Sequence, residues 1–294
     1  MKRDEQNGEQ GFHNGAVVPR LAASSYLNTA PLIWSFLHGS LVNSVELITD
    51  KAPARSAELL ARRAVDFALV PVIEYARISD VELIPGVCVG ARRRVRSVVV
   101  ATHGCELADV RSVNLDAASR TSATLTEIIF REFFNREVCS RTRQHGEPDN
   151  DESGGKTIDE FDARLVIGDP AMRLDASRWR IYDLAEVWHD FTGCGFVFAM
   201  WMRNKHAPAG AVPVDFAHAR DEGLAHTRDI INRYGSDIPL SRGELSAYLH
   251  ENISYRLDAS MREGLRLYFQ LAHKYKLIPR LPSIEFAEDV AEVG

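Results

Sequence analysis

Residues 17–71 alternate short apolar runs with stretches of helical periodicity, and that alternation narrows the available folds more than any other feature of the chain. Val17-Val18-Pro19-Arg20-Leu21-Ala22-Ala23 reads as a short strand that runs into small polar residues, and Thr29-Ala30-Pro31-Leu32-Ile33-Trp34 opens a helix. Asn28 or Thr29 is placed to cap that helix, and Pro31 suits its first turn. Residues 45–49 read as a second strand, 56–64 as an amphipathic helix, and 67–70 as a buried strand ended by Pro71. This strand-helix-strand-helix-strand order predicts an α/β protein with helices layered on a sheet. With 45% hydrophobic residues, 294 residues supply either one large core or two modest ones.

The rhythm continues downstream. Residues 83–89, 97–101, 112–115 and 163–167 carry strand signals, and residues 123–135 and 184–189 carry helical ones. After Phe191-Thr192-Gly193-Cys194-Gly195, the run Phe196-Val197-Phe198-Ala199-Met200-Trp201 is another strand candidate. Residues 214–234, 241–249 and 259–277 read as helical and cover a sheet begun upstream. Residues 1–15 form a polar tail, expected to be flexible, and 140–157 read as an exposed insertion between core elements.

Against 35 Lys plus Arg stand 41 Asp plus Glu, a formal charge of −6, so no general positive field exists to hold nucleic acid. No run of 18 apolar residues predicts a membrane span. The N-terminal residues lack the apolar centre of a signal peptide, and Cys88, Cys105, Cys139 and Cys194 are dispersed without disulfide or metal spacing, so a cytoplasmic location is expected. Dinucleotide, P-loop, serine-hydrolase elbow and zinc-protease motifs are all missing from the sequence.

Two clusters of short hydroxyl and amide side chains precede predicted helices: Ser25, Asn28 and Thr29, then Ser119, Thr121 and Ser122. Such groups, with the unpaired N–H groups of a first helical turn, bind carboxylates; they also serve as ordinary caps. Asp169 lies in a Gly168-Asp169-Pro170 turn and is suited either to orienting a ligand donor or to the turn alone. Trp188, His189 and Cys194 read as packed or satisfied side chains. Arg92, Arg93, Arg94 and Arg96 form a short basic run that either stays solvated or steers an anion, and Arg120 adjoins the second hydroxyl cluster.

Ser25-Tyr26-Leu27-Asn28-Thr29-Ala30-Pro31-Leu32 resembles the early segment of the chorismate dehydratases of the futalosine route to menaquinone. The resemblance extends in order through Asp66-Phe67-Ala68-Leu69-Val70-Pro71-Val72, Leu115-Asp116, Ser119-Arg120-Thr121-Ser122, Ile167-Gly168-Asp169, Trp188-His189 and Thr192-Gly193, covering about residues 17–280. It implies a type II periplasmic-binding-protein-like fold, two lobes around a central cleft. Lobe one would comprise residues 16–95 and 193–294, and lobe two residues 96–192. It also implies a hydro-lyase that removes water from chorismate to give 3-[(1-carboxyvinyl)oxy]benzoate, with no cofactor and no metal. Asn28 would be the catalytic residue, an orienter rather than a base because its amide is neutral. Ser25, Ser119, Arg120, Thr121, Ser122 and Asp169 would contact the small dianionic substrate, with the Ser119 cluster on the ring carboxylate. The substrate's enolpyruvyl carboxylate is then the candidate base. A sister dihydroxynaphthoate synthase acting on a cyclic futalosine derivative, and a non-catalytic anion-binding module, are the alternatives.

Overall fold

The computed structural model describes residues 17–50, 53–116, 119–143, 161–207, 213–236 and 238–287; the expected tail at 1–15 and all but the first residues of the expected insertion lie outside them. Two five-stranded mixed sheets organise the described residues. The first is built from β1 (Arg20–Ser24), β2 (Glu46–Asp50), β3 (Phe67–Pro71), β4 (Val81–Ala91) and β10 (Phe196–Asn204), in the order β2-β1-β3-β10-β4. Strand β1 pairs parallel with β2 and β3, while β10 runs antiparallel between β3 and β4. The second repeats the pattern with β5 (Val98–Thr102), β6 (Ser112–Asp116), β7 (Cys139–Arg143), β8 (Ala163–Ile167) and β9 (Arg180–Asp183), in the order β7-β6-β8-β5-β9. Here β6 is parallel to β7 and β8, and β5 is antiparallel to β8 and β9.

Strand character follows burial. All five residues of β3 are buried, as a central strand with continuous apolar sequence requires, whereas the Glu46–Asp50 edge strand is largely open to solvent. Helix α1 (Ala30–His38) buries every residue from Ala30 to Phe36, and α5 (Phe216–Ala225) is packed along it. Helices α2 (Pro53–Ala61) and α8 (Ala259–Lys274) pack on strands of the first sheet, α6 (Thr227–Tyr234) packs on α1 and α5, α7 (Arg242–Ala247) packs on α6, and α3 (Arg120–Ile128) and α4 (Leu184–Thr192) pack on the second sheet.

Several expected boundaries are corrected. The helix expected at 123–135 starts earlier, at Arg120, and its last turn widens to a π turn over Ile129–Phe133. The single helix expected at 214–234 divides at His226, where the Thr227 hydroxyl donates to the Leu224 carbonyl at 2.6 Å and the ladder restarts. Residues 140–143, expected to begin an insertion, instead belong to β7; the polar sequence Cys-Ser-Arg-Thr-Arg suits an exposed edge strand.

The chain crosses between the sheets at residues 92–97 and again at 193–195. Asp183 anchors the first crossing: its buried carboxylate accepts from the N–H groups of Val95 (3.0 Å) and Arg96 (2.6 Å) while capping α4 through Ala185 (3.0 Å) and Glu186 (3.2 Å). At the second crossing α8 lies directly on the backbone. A Cβ on Gly264 would stand 2.0 Å from the Gly195 carbonyl oxygen, a distance only glycine avoids. The cleft between the sheets opens at the carboxyl ends of β1, β3 and β8, the usual ligand position in an open parallel sheet.

Candidate active site

The wall of the cleft on the first sheet begins where β1 ends. Ser24 closes the strand, and residues 25–29 turn the chain into α1. Thr29 takes the cap position, but its hydroxyl does not cap the helix; it accepts from the Tyr26 N–H at 3.1 Å and donates toward the Ser24 carbonyl at 2.6 Å. The Asn28 carbonyl accepts from the Tyr255 hydroxyl at 2.9 Å, and burial pushes that phenol well up, so it remains a donor. With its backbone held this way, Asn28 presents its side chain to the cleft. Its Oδ1 is buried and has no hydrogen-bond partner among the described residues. A buried acceptor left unpaired costs about 1–3 kcal/mol, a cost that a bound donor removes.

The opposite wall is the start of α3. Ser119 occupies the cap position without capping through its side chain, and Ser119, Thr121 and Ser122 are buried at 7%, 2% and 3% exposure while all lining the cleft. Ordinary capping therefore accounts for neither hydroxyl cluster. The Thr121 hydroxyl accepts from the Ile73 N–H at 3.2 Å across the two sheets, and the Thr121 carbonyl accepts from the Tyr268 hydroxyl at 3.0 Å. Accepting from Ile73 leaves the Thr121 proton available to a ligand. Between the walls, Leu69, Val70, Pro71, Val89, Phe198 and Ala199 of the first sheet and Val98 and Ile167 of the second form an apolar floor. The space between the walls is about 590 Å³ when counted out into open solvent. Among the described residues no Lys, Arg or His belongs to its lining.

Three residues expected to contact the substrate lie outside the cleft lining. Arg120 is outside the lining, and its guanidinium is 3.2 Å from the buried Glu74, which Arg77 also approaches at 3.3 Å. A helix turns each successive side chain by about 100°, so Arg120 faces away from its cleft-lining neighbours. Ser25 is half-buried and outside the lining; its N–H donates to the Asp50 carbonyl at 3.0 Å. Asp169 starts a short 3-10 turn behind Gly168, and it is Gly168 that faces the cleft.

Tyr26, by contrast, lines the cleft, a placement that the residue-by-residue reading missed although it sits inside the Ser25–Pro31 motif. Its ring edge lies against the second sheet: a Cβ on Gly168 would meet Cδ1 and Cε1 at 3.5 Å, and Gly168 itself holds φ +67°. Burial, followed by Asp116, Asp169 and Asp50, pushes its phenol up to about 12.

The other side chains considered lie outside the cleft lining. Trp188 is fully buried with its ring 5.4 Å from that of Phe196, and His189 Nδ1 is 3.3 Å from the Cys194 carbonyl. Three members of the basic run meet acids: Arg92 with Asp258 (2.9 Å), Arg93 with Asp190 (3.3 Å), and Arg94 with Glu186 (3.9 Å). No group of three or more His, Cys, Asp or Glu side chains among the described residues is arranged to hold a metal ion.

Known proteins give this geometry its context. A protein of Thermus thermophilus named chorismate dehydratase is 26% identical over 267 residues, which span 84% of this chain and 93% of that one. The crystal structure of an Archaeoglobus fulgidus protein superposes with a TM-score of 0.66 at 15% identity, covering 88% of this chain and 98% of that one. The periplasmic aliphatic sulphonate binding protein of Escherichia coli superposes with a TM-score of 0.60 at 13% identity, covering 94% and 96%. These structural likenesses establish the fold: two similar mixed sheets in the type II periplasmic-binding-protein arrangement. The model of the family described as menaquinone biosynthesis matches residues 19–274, from the first strand to the end of the last helix and through both walls of the cleft, so the chain belongs to that family.

Proposed function

We propose that this protein removes water from chorismate, giving 3-[(1-carboxyvinyl)oxy]benzoate on the route to menaquinone. The observation that carries the reading is Asn28 Oδ1, a buried acceptor without a donor among the described residues, in a cleft otherwise walled by hydroxyls. Chorismate at neutral pH carries two carboxylates, which only accept, and a single hydroxyl, which can donate. Asn28 and that hydroxyl are complementary, and the hydroxyl is the group that leaves.

The α3 start suits a carboxylate. Ser119 and Ser122 offer hydroxyl protons, Thr121 retains one, and the first-turn N–H groups have no partner within the helix. Hydrogen-bond donors favour the charged form of the carboxylate they hold and lower its basicity, so the carboxylate on these hydroxyls is the ring one. The substrate's enolpyruvyl carboxylate, away from those donors, is then the base that takes the C3 proton with the help of enforced proximity. Loss of the C3 proton and the C4 hydroxyl makes the ring aromatic, and the enolpyruvyl ether is retained. Closure of the two sheets around the 92–97 and 193–195 crossings would exclude water from the reacting face.

Incubation of the purified protein with chorismate, followed by mass spectrometry, tests this directly. The expected product is lighter than chorismate by one water and keeps its enolpyruvyl group. Turnover of the cyclic futalosine derivative without action on chorismate would assign the sister synthase reaction instead, and tight binding without conversion would assign a binding module.

A further inference from the structure

Two buried phenols from the last third of the chain donate to the backbone of the two cleft walls. Tyr255 donates to the Asn28 carbonyl at 2.9 Å across 227 positions, and Tyr268 on α8 donates to the Thr121 carbonyl at 3.0 Å across 147. Tyr255 is itself fastened to the first sheet. Its carbonyl accepts from the Cys88 N–H at 3.2 Å, and the adjacent Ser254 exchanges both backbone bonds with Gly90, at 2.7 and 3.0 Å, so residues 254 and 255 run along β4. The two carbonyls differ in what else supports them. Thr121 lies inside α3, whereas Asn28 precedes α1, whose ladder opens one residue later with the Leu32 N–H donating to the Thr29 carbonyl at 2.9 Å. Among the described residues, the donor that reaches the Asn28 carbonyl is the Tyr255 hydroxyl. The carbonyl and the side chain of Asn28 hang from one Cα. A peptide released from the phenol turns toward another donor and re-aims Oδ1, the buried acceptor left unpaired among the described residues at the cleft.

We propose, resting on the dehydratase reading above, that Tyr255 is a positioning residue of the reaction: its bond to the Asn28 carbonyl sets the direction in which Asn28 Oδ1 meets the substrate's departing hydroxyl. Tyr255 is outside the cleft lining and acts through Asn28 alone. Tyr268 supplies the comparison that separates this role from general support of the fold. It is an equally buried phenol on a backbone carbonyl, but the carbonyl belongs to a helical residue on the carboxylate side of the cleft. A contact at the breaking bond acts on kcat, whereas one that holds a carboxylate alike in ground and transition state acts on KM. The two phenols therefore carry different kinetic signatures.

Tyr255→Phe and Tyr268→Phe each remove one oxygen and leave the ring in its packing. The test is steady-state turnover of chorismate by both variants, with Tyr255→Phe made in the wild-type and in the Asn28→Ala background. Tyr255→Phe is expected to lower kcat by about 10- to 10²-fold with KM little changed, the loss that an ångström-scale misplacement brings. Tyr268→Phe is expected to act on KM instead. In the Asn28→Ala background Tyr255→Phe is expected to add no further loss, because the side chain it aims is gone. Full kcat in Tyr255→Phe overturns the assignment. So does an equal loss of kcat in Tyr255→Phe and Tyr268→Phe, or a loss of the same size in the Asn28→Ala background, since either would mean that the phenol supports the fold at large. A wild-type protein that converts no chorismate overturns the dehydratase reading first and this assignment with it, whereas an active wild type beside a fully active Tyr255→Phe overturns this assignment alone.

Discussion

Asn28 illustrates how a residue that weakens the free protein can serve its ligand. The unpaired Oδ1 is a cost in the empty cleft, and the same atom is the acceptor that the substrate's hydroxyl requires. Stability and activity should therefore separate at this position. Asn28→Ala is expected to lower kcat/KM by about 10²- to 10³-fold, the range found when a positioned transition-state contact is removed. Asn28→Leu, which replaces the polar group with an apolar one of similar size, is expected to abolish turnover while melting no lower than the wild type. A Leu variant that melts well below the wild type would show that the amide is structural. Ser122 differs, because its hydroxyl faces the cleft beside other donors. Ser122→Ala should raise KM by about 3- to 10-fold through loss of one hydrogen bond, with kcat nearly unchanged; a matching fall in kcat would place Ser122 at the reacting bond instead.

At the scale of elements, the crossings and the strand ends are tied by groups far apart in sequence. Asp162, at the entry to β8, accepts from the N–H groups of Arg111 (2.8 Å) and Ser112 (2.9 Å) and so holds β8 to the start of β6. Burial opposes its ionisation, but those two N–H groups and the Ser112 hydroxyl outweigh it and lower its pKa. A folded-state value below the unfolded one means that the stabilisation is fully present above the ordinary aspartate pKa of about 4 and is lost as pH falls through the lower folded value. The melting-temperature gap between wild type and Asp162→Asn should accordingly be constant near neutral pH and shrink below about pH 4. A gap independent of pH would mean that the carboxylate's charge contributes nothing. Gly264→Ala probes the second crossing: its Cβ would meet the Gly195 carbonyl oxygen, and forced separation of α8 from the crossing should cost about 1–3 kcal/mol in denaturant unfolding. The start of α1 is legible in the sequence because short polar residues precede apolar periodicity, whereas α3 begins inside its polar cluster, three residues before the apolar periodicity sets in. The Asp183 anchor is not legible, since the carboxylate and the Val95 and Arg96 N–H groups it accepts are separated by 88 and 87 positions, and no local pattern records that meeting. Arg120 makes a related point: adjacency in sequence groups it with the hydroxyls, and one step around the helix sets its guanidinium beside Glu74.

For the molecule as a whole, the ordered motifs made the two-lobed fold readable, and the electrostatics needed coordinates. A net charge of −6 and a cleft with no cation among its described lining residues would be a poor attractor for a dianion, and the basic run at residues 92–96 reads in the sequence as a remedy. In the folded protein Arg92, Arg93 and Arg94 stand against Asp258, Asp190, Glu186 and Asp183, which cancels much of their field at a distance. Recognition then relies on short-range donors inside the cleft. Enzymes that steer charged substrates lose association rate steeply as salt rises, because the Debye length contracts from about 30 Å at 0.01 M to about 10 Å at 0.1 M. Here the long-range interaction is repulsive, so screening should help or leave the reaction indifferent. The expected outcome is a kcat/KM for chorismate that stays level or rises as sodium chloride increases from about 0.01 to about 0.1 M. A steep fall would show that the arginine run does steer the substrate, and replacing Arg92 and Arg93 with glutamine would then abolish the salt dependence. A level or rising profile that Arg92→Gln and Arg93→Gln leave unchanged would assign those arginines to the lobe crossing and leave substrate capture to the hydroxyls and amide of the cleft.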